Sequence, residues 1–189
     1  MGGARRKPVT YDDLVRVPEH LVAEIVGGEL FTSPRPAAPH ALATTGIVQD
    51  LSDFHGTPGD PTRRGGWWIL FEPELHFQAD VLVPDLAGWR HERMPRVPDV
   101  AAFELPPDWL CEVISPSTAQ LDRARKMQVY AREGVSHMWI VDPLARTLEI
   151  YRLEGDRWTL VRTHGGSDPV RAEPFESCAL HPARWWPQP

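Results

Sequence analysis

The chain has 189 residues, enough for one domain with a substantial hydrophobic core. Apolar residues make up 42% and charged residues 24%, the balance of an ordinary globular protein, and the net charge of −6 argues against a protein that coats nucleic acid by charge alone. No apolar run approaches the roughly 18 residues that span a membrane, no secretory pattern follows the basic start at Met1–Lys7, and the two cysteines, Cys111 and Cys178, form no metal-binding or disulfide pattern, so the expected location is the cytoplasm.

Residues 1–9 read as a loose tail before a single domain over 10–189. Thr10-Tyr11-Asp12-Asp13 opens a short helix on a capping-box pattern, with Asp13 where Glu or Gln is usual. Leu21–Val26 and Glu29–Thr32 form a hairpin across Gly27-Gly28, because paired glycines supply the positive φ of a two-residue turn. A helix is expected from Pro39 to Phe54, with Leu42, Ile47, Leu51 and Phe54 on one apolar face. A loop over Asp60–Gly66 leads to strands at Trp67–Phe71, Leu75–Phe77, Asp80–Pro84 and Leu86–Trp89, then to an exposed, proline-rich loop from His91 to Pro107.

Trp109–Ile114 shows too little alternation for a surface strand and reads as central, buried on both faces. Ser117-Thr118-Ala119-Gln120 has the form of a capping box, and a helix follows from about Thr118 to Arg132, stopped by Gly134. His137–Val141 is another apolar strand, Thr147–Leu153 and Arg157–Thr163 pair as a hairpin, and the tail to Pro189 reads as one short strand plus loop. Strand, helix, strand from Trp109 to Val141 is long enough for a right-handed crossover, whereas the other strands follow one another through short turns. The fold class expected is α/β (α+β), a mixed sheet flanked by helices with extra β-hairpins.

Two carboxylates stand at strand ends. Glu112 lies in an apolar strand, where a carboxylate costs several kcal/mol unless it is paired or metal-bound. Asp85 ends the run Val81-Leu82-Val83-Pro84. If they converge, they offer a hard divalent cation such as Mg²⁺, with Mn²⁺ as a substitute, the oxygen ligands it prefers, and the Val113 carbonyl is a third candidate ligand. Such an ion activates water and neutralises charge during phosphodiester hydrolysis. Lys126 follows Glu112 by 14 residues and Asp122 by four, so the following helix carries a cation on one face with an acid beside it. The plainer readings are that Asp85 caps a turn and that Asp122 and Lys126 form a surface ion pair. Glu24 is another acid beside apolar strand residues, His40 opens the first long helix, and candidate basic patches lie at Arg63-Arg64, Arg90–Arg96 and Arg123–Lys126.

Glu24-Ile25-Val26-Gly27-Gly28-Glu29-Leu30, His40, Val83-Pro84-Asp85, Glu112-Val113-Ile114-Ser115-Pro116-Ser117-Thr118, Asp122, Lys126, Tyr130, Gly134-Val135 and Trp139-Ile140-Val141-Asp142-Pro143 occur in one characteristic order. In this the chain resembles, from about Thr10 to Leu153, the Uma-type family of restriction-endonuclease-like proteins, a branch of the PD-(D/E)XK nuclease superfamily. The resemblance implies a restriction-endonuclease-like core, Mg²⁺ bound by Asp85 and Glu112, and Glu24 assisting at the metal or orienting a partner. His40, Asp122 and Ser115 are supporting candidates. The lysine that the superfamily places two residues after the second acid is Ile114 here, and Lys126 looks like its relocated equivalent. Ala23 and Gly27 also depart from the family's usual aromatic residue and turn aspartate.

The expected function is a metal-dependent DNA endonuclease, a homodimer by analogy with enzymes that cut both strands, reading sequence if at all through loops such as Arg90–Val100. Two alternatives stay open: a non-catalytic binding or assembly module, with Trp67-Trp68 and Trp185-Trp186 at an interface, and a hydrolase of RNA or small phosphate esters. Convergence of Asp85, Glu112 and Lys126 is what separates catalysis from the non-catalytic module.

Overall fold

A computed structural model of the chain describes residues 9–59 and 64–187. The expected tail, except for its last residue, and the part of the 60–66 loop that holds Arg63 lie outside the described residues.

The fold is α+β, with two sheets where one was expected. The smaller has the order β2-β1-β5-β4, from β1 (Leu21–Val26), β2 (Glu29–Pro34), β4 (Leu75–Phe77) and β5 (Asp80–Leu82). The larger has the order β10-β9-β8-β7-β6-β3, from β3 (Trp67–Phe71), β6 (Leu86–Arg90), β7 (Trp109–Val113), β8 (His137–Asp142), β9 (Thr147–Glu154) and β10 (Arg157–Gly165). Among the strands of the described residues only β7 and β8 pair in parallel, joined by the expected crossover helix, residues 119–132. β1 and β5 meet at the single register pair Ile25↔Val81, a non-local join that local sequence patterns do not announce.

Strand parity divides the core. From β7, Trp109, Cys111 and Val113 face α2 (Ala38–Asp50) and the C-terminal segment, in a cluster with Ile47, Trp139 and Phe175. Leu110 faces the other way, toward the crossover helix and the smaller sheet, with Tyr130, Met138, Leu82 and Val26. Glu112 shares that second parity. Phe175 packs its ring 4.9–5.7 Å from those of Phe54, Trp67, Trp109 and Trp139. Trp67, Trp185 and Trp186 are buried in this core rather than displayed for an interface.

The glycine hairpin forms as expected, with Gly27 and Gly28 at φ 61° and 78° and Val26 opposite Glu29. The N-terminal capping box also forms: the Thr10 N–H and hydroxyl both donate to Asp13 Oδ2, at 2.9 and 2.8 Å. Four expectations are corrected. The first long helix ends at Asp50, not Phe54, and Leu42 is exposed, because small residues such as Ala43 and Gly46 lie on the buried face. A Cβ on Gly46 would stand 2.6 Å from Trp185 Cδ1, so this face is shaped by a segment far away in sequence. The capping box over Ser117–Gln120 does not form: the helix begins after Thr118 with no side-chain cap, the Ser117 hydroxyl bonds Ser115 Oγ, and the Thr118 hydroxyl oxygen accepts the Ser115 N–H at 3.1 Å. The tail carries an isolated bridge, Val170↔Leu180, and a 3₁₀ turn at Pro182–Arg184, with no strand among its described residues. The loop after β6 is only partly exposed, since Met94 is buried and Phe103 and Leu105 pack against the core.

Candidate active site

β6 and β7 run antiparallel with Leu86 opposite Cys111. That register sets Asp85, just before β6, beside the end of β7, where its Oδ2 accepts the Val113 N–H at 2.7 Å. Glu112 points to the same end on the crossover-helix side. The helix is not regular: it is α-helical over Ala119–Leu121 and Met127–Arg132 and π-helical over Asp122–Lys126. Such π turns are rare and are frequent at functional sites. This one delivers both Asp122 and Lys126 into the interior.

The Lys126 ammonium is 2% exposed and has three acids around it: Glu112 Oε1 at 2.8 Å, Glu24 Oε1 at 2.9 Å and Asp122 Oδ1 at 3.4 Å. An ammonium has three N–H donors, so each is engaged. Glu24 Oε1 also accepts the Val83 N–H at 2.8 Å, which ties β1 to the segment ending in Asp85. His40, in the first turn of α2, approaches Asp85 Oδ1 through Nε2 at 3.0 Å, while its buried Nδ1 has no hydrogen-bond partner. The Ser115 hydroxyl is bonded within its own loop, to Ser117 Oγ at 2.9 Å and Thr118 Oγ1 at 3.2 Å.

Every sequence-derived candidate therefore comes to one place: Glu24, His40, Asp85, Glu112, Val113, Ser115, Asp122 and Lys126 all line one cavity of about 350 Å³. Tyr130 was not singled out as a site residue, yet its hydroxyl donates to Glu112 Oε1 at 2.7 Å. Its signal was in the sequence, four residues after Lys126 on the same helix. The Arg90–Val100 loop begins at the far end of β6 from Asp85 and lines no part of this cavity, so it is not placed to read a substrate there.

The electrostatics follow from one cation among several buried acids. Burial pushes the Glu112 carboxyl well up; Lys126 opposes the rise, and Asp122, Asp85 and Glu24 add to it. Burial likewise raises Asp122 against the pull of Lys126. For Lys126 itself burial acts downward, but Glu112, Glu24, Tyr130 and Asp122 outweigh it, and the ammonium is held well above its ordinary value. Burial also lowers His40, and the hydrogen bond and charge of Asp85 reverse that to a net rise. The lysine is thus charged, and the acid surplus around it favours a further cation.

The residues fit Mg²⁺ in donor type. Asp85 and Glu112 are hard oxygen donors at one cavity floor, and Mg²⁺ commonly binds through one or two carboxylates while keeping several waters. Among the described residues no group of three or more His, Cys, Asp or Glu side chains is arranged to hold a metal unaided. Lys126 already fills one oxygen of Glu112, so any metal would share the acids with it.

A mixed sheet that sets two acids at neighbouring strand ends, with a buried lysine on the following helix, is of the restriction-endonuclease-like kind. The wider comparisons agree. The chain belongs to the Uma2 family, described as "Putative restriction endonuclease", whose model matches residues 9–182. Among solved structures it is similar to a "putative nuclease belonging to DUF820" from Anabaena variabilis, at TM-score 0.74 and 22% identity, over 95% of this chain and 98% of that one. No curated protein matches. Among the described residues no helix is long and apolar enough to cross a membrane.

Proposed function

We propose that the protein is a metal-dependent DNA endonuclease. The observation that carries this reading is the convergence of Asp85, Glu112 and Lys126 on one cavity, with Glu24 behind them. A surface ion pair or a turn cap requires no such convergence, and burying acids in this number is unfavourable without a cation to hold. In this reading Asp85, Glu112 and the Val113 carbonyl hold Mg²⁺. The ion, when bound, supplies an activated water and neutralises charge on the phosphate.

The chain's own groups do the rest. Lys126 stabilises the charge that develops on the phosphate; its 3.4 Å contact to Asp122 is the longest of the three and the one a substrate oxygen displaces most readily. Tyr130 fixes the orientation of Glu112, leaving Oε2 for the cavity side. Glu24 is a positioning residue, holding Lys126 and the Val83 backbone at once. His40 and Asp122 orient Asp85 and Lys126, and Ser115 shapes the loop at the cavity wall. The described residues of each chain form one such site, so a homodimer is the arrangement that would cut both strands. A cytoplasmic location accords with free thiols at Cys111 and Cys178.

The test is nicking of supercoiled plasmid with Mg²⁺ or Mn²⁺, beside an EDTA control and Glu112→Ala. Metal-dependent nicking lowered about 10²–10³-fold in the variant is expected. Absence of nicking, together with no change in unfolding temperature on adding Mg²⁺, would sink the reading and favour the non-catalytic module.

A further inference from the structure

The walls of the cavity differ from its floor. Above the acids they are largely apolar and stiff, formed by Pro34, Pro36, Pro39, Pro116, Pro143 and Leu144. Arg35 is the one exposed Lys or Arg among the described residues that line it; its guanidinium stands 3.8 Å from Glu72 and donates to the Glu19 carbonyl at 3.0 Å. The neighbouring basic patch gives no second cationic track: Arg123 is held by Glu149, Arg125 by Glu29, and Lys126 is buried. The acids are also recessed, with the Asp85 side chain 14% and that of Glu112 4% exposed. Neutralising about 6–10 phosphates on a duplex takes a broad set of Lys and Arg contacts. A flexible unpaired strand bends toward recessed groups at less cost than a stiff duplex.

The cavity lining includes a turn suited to meet the bases of such a strand. The turn after β8 is pinned by Asp142 Oδ1, which accepts the N–H of both Leu144 and Ala145 at 2.9 Å, and Arg146 closes it at φ 55°. The pinned turn displays Leu144 at 62% exposure beside Pro143, and both residues line the cavity. Leucine and proline are among the side chains that proteins insert between base steps to unstack them.

We propose that the site takes an unpaired DNA strand, and that Pro143 and Leu144 wedge the base next to the scissile phosphate out of its stack while Arg35 holds a neighbouring phosphate. This rests on the nuclease reading above and names its substrate form. In it, Leu144 is a specificity-determining residue that touches substrate and takes no part in the chemistry.

The experiment is fluorescence anisotropy of the full chain with a labelled 12-nucleotide single strand and with its blunt duplex, in Ca²⁺ to hold cleavage in check. The single strand is expected to bind at least about tenfold more tightly. Its affinity should fall with log salt at a slope of roughly −0.7, as one phosphate contact to a single strand predicts. Leu144→Ala should bring the preference for the single strand below about threefold with an unchanged unfolding temperature, since the side chain is exposed and the turn is pinned through backbone N–H groups. A duplex that binds as well as the single strand, binding of neither form, or an unchanged preference in Leu144→Ala each overturn the proposal. The plasmid assay separates its failure from that of the nuclease reading: nicking with equal binding of both forms sinks the substrate inference alone, whereas single-strand binding without cleavage in Mg²⁺ or Mn²⁺ sinks the nuclease reading.

Discussion

Two of the places where the described residues bury charge are built in opposite proportion. At the end of α2, Asp50 is a single acid among donors: the His181 N–H at 2.7 Å, Trp185 Nε1 at 2.9 Å, Arg184 Nη1 at 3.2 Å and His181 Nδ1 at 3.4 Å. These donors come from the C-terminal segment, so Asp50 staples that segment to α2. At the end of β7 the proportion is inverted, with Lys126 a single cation among Glu24, Glu112 and Asp122, and Asp85 close by. The first site is saturated from within the chain and lines no part of the cavity; the second has acid capacity to spare and opens onto it. Buried charge alone therefore does not set the proposed site apart. An unmet surplus of one sign, facing a cavity, does.

Removing the centre of each site tests that contrast, and the largest effect is expected at Lys126. Lys126→Met leaves the acids facing one another in the interior, which should cost about 3–5 kcal/mol of stability in urea unfolding and abolish nicking. Added Mg²⁺ should then raise the unfolding temperature of the variant by more than that of the wild-type chain, because the ion replaces the missing cation. Equal shifts would mean that the acids do not act as a cation site. Asp50→Ala should destabilise nearly as much, about 3 kcal/mol, by stranding the Trp185 and His181 donors. Its nicking rate per folded molecule should stay at the wild-type level; a loss of nicking with the fold intact would break the division between staple and site. A smaller loss, about 1–3 kcal/mol, is expected for Gly46→Ala, which drives a methyl group against Trp185 and strains the staple without touching its charges.

How much of this could be read from the sequence depended on whether the determining contacts were local. Glu112 was legible because an acid in an unbroken apolar strand has few explanations, and Asp85 because it closes the apolar run Val81-Leu82-Val83-Pro84, although β5 itself stops at Leu82. The β1–β2 turn was legible because Gly27-Gly28 satisfies a backbone need with no outside partner. The buried face of α2 was misjudged at Leu42 because distant Trp185 selects the small residues on that helix, a choice hydrophobic periodicity cannot register. The division into two sheets hung on one register pair, Ile25↔Val81. The π turn at Asp122–Lys126 stayed hidden because four-residue spacing puts Asp122 and Lys126 on one face with or without it. The saturation of Asp50 was not foreseen at all, since its donors lie more than 130 residues away in sequence.

A third ion pair calibrates the comparison from outside both sites. Arg123 leaves the same π turn as Lys126 but points outward, donating to Glu149 Oε2 at 2.6 Å and Oε1 at 2.9 Å, with the arginine side chain 37% exposed. One base meets one acid, partly in solvent, so neither surplus nor saturation arises. The hydrogen bonds from Arg123 hold the Glu149 carboxyl below the usual carboxylate range, against a smaller opposing effect of burial. A depressed acid stabilises the fold above its unfolded value near 4.5, and that contribution is lost as pH falls through the lower folded value. The wild-type chain should therefore lose unfolding temperature below pH 4.5 slightly more steeply than Arg123→Ala, and the two should differ by a constant small amount at neutral pH, as expected for a partly exposed pair. Nicking should be unchanged. An Arg123→Ala variant as damaged as Lys126→Met would mean that any charge on the π turn matters equally, and that the surplus of acid around Lys126 is not what sets the site apart.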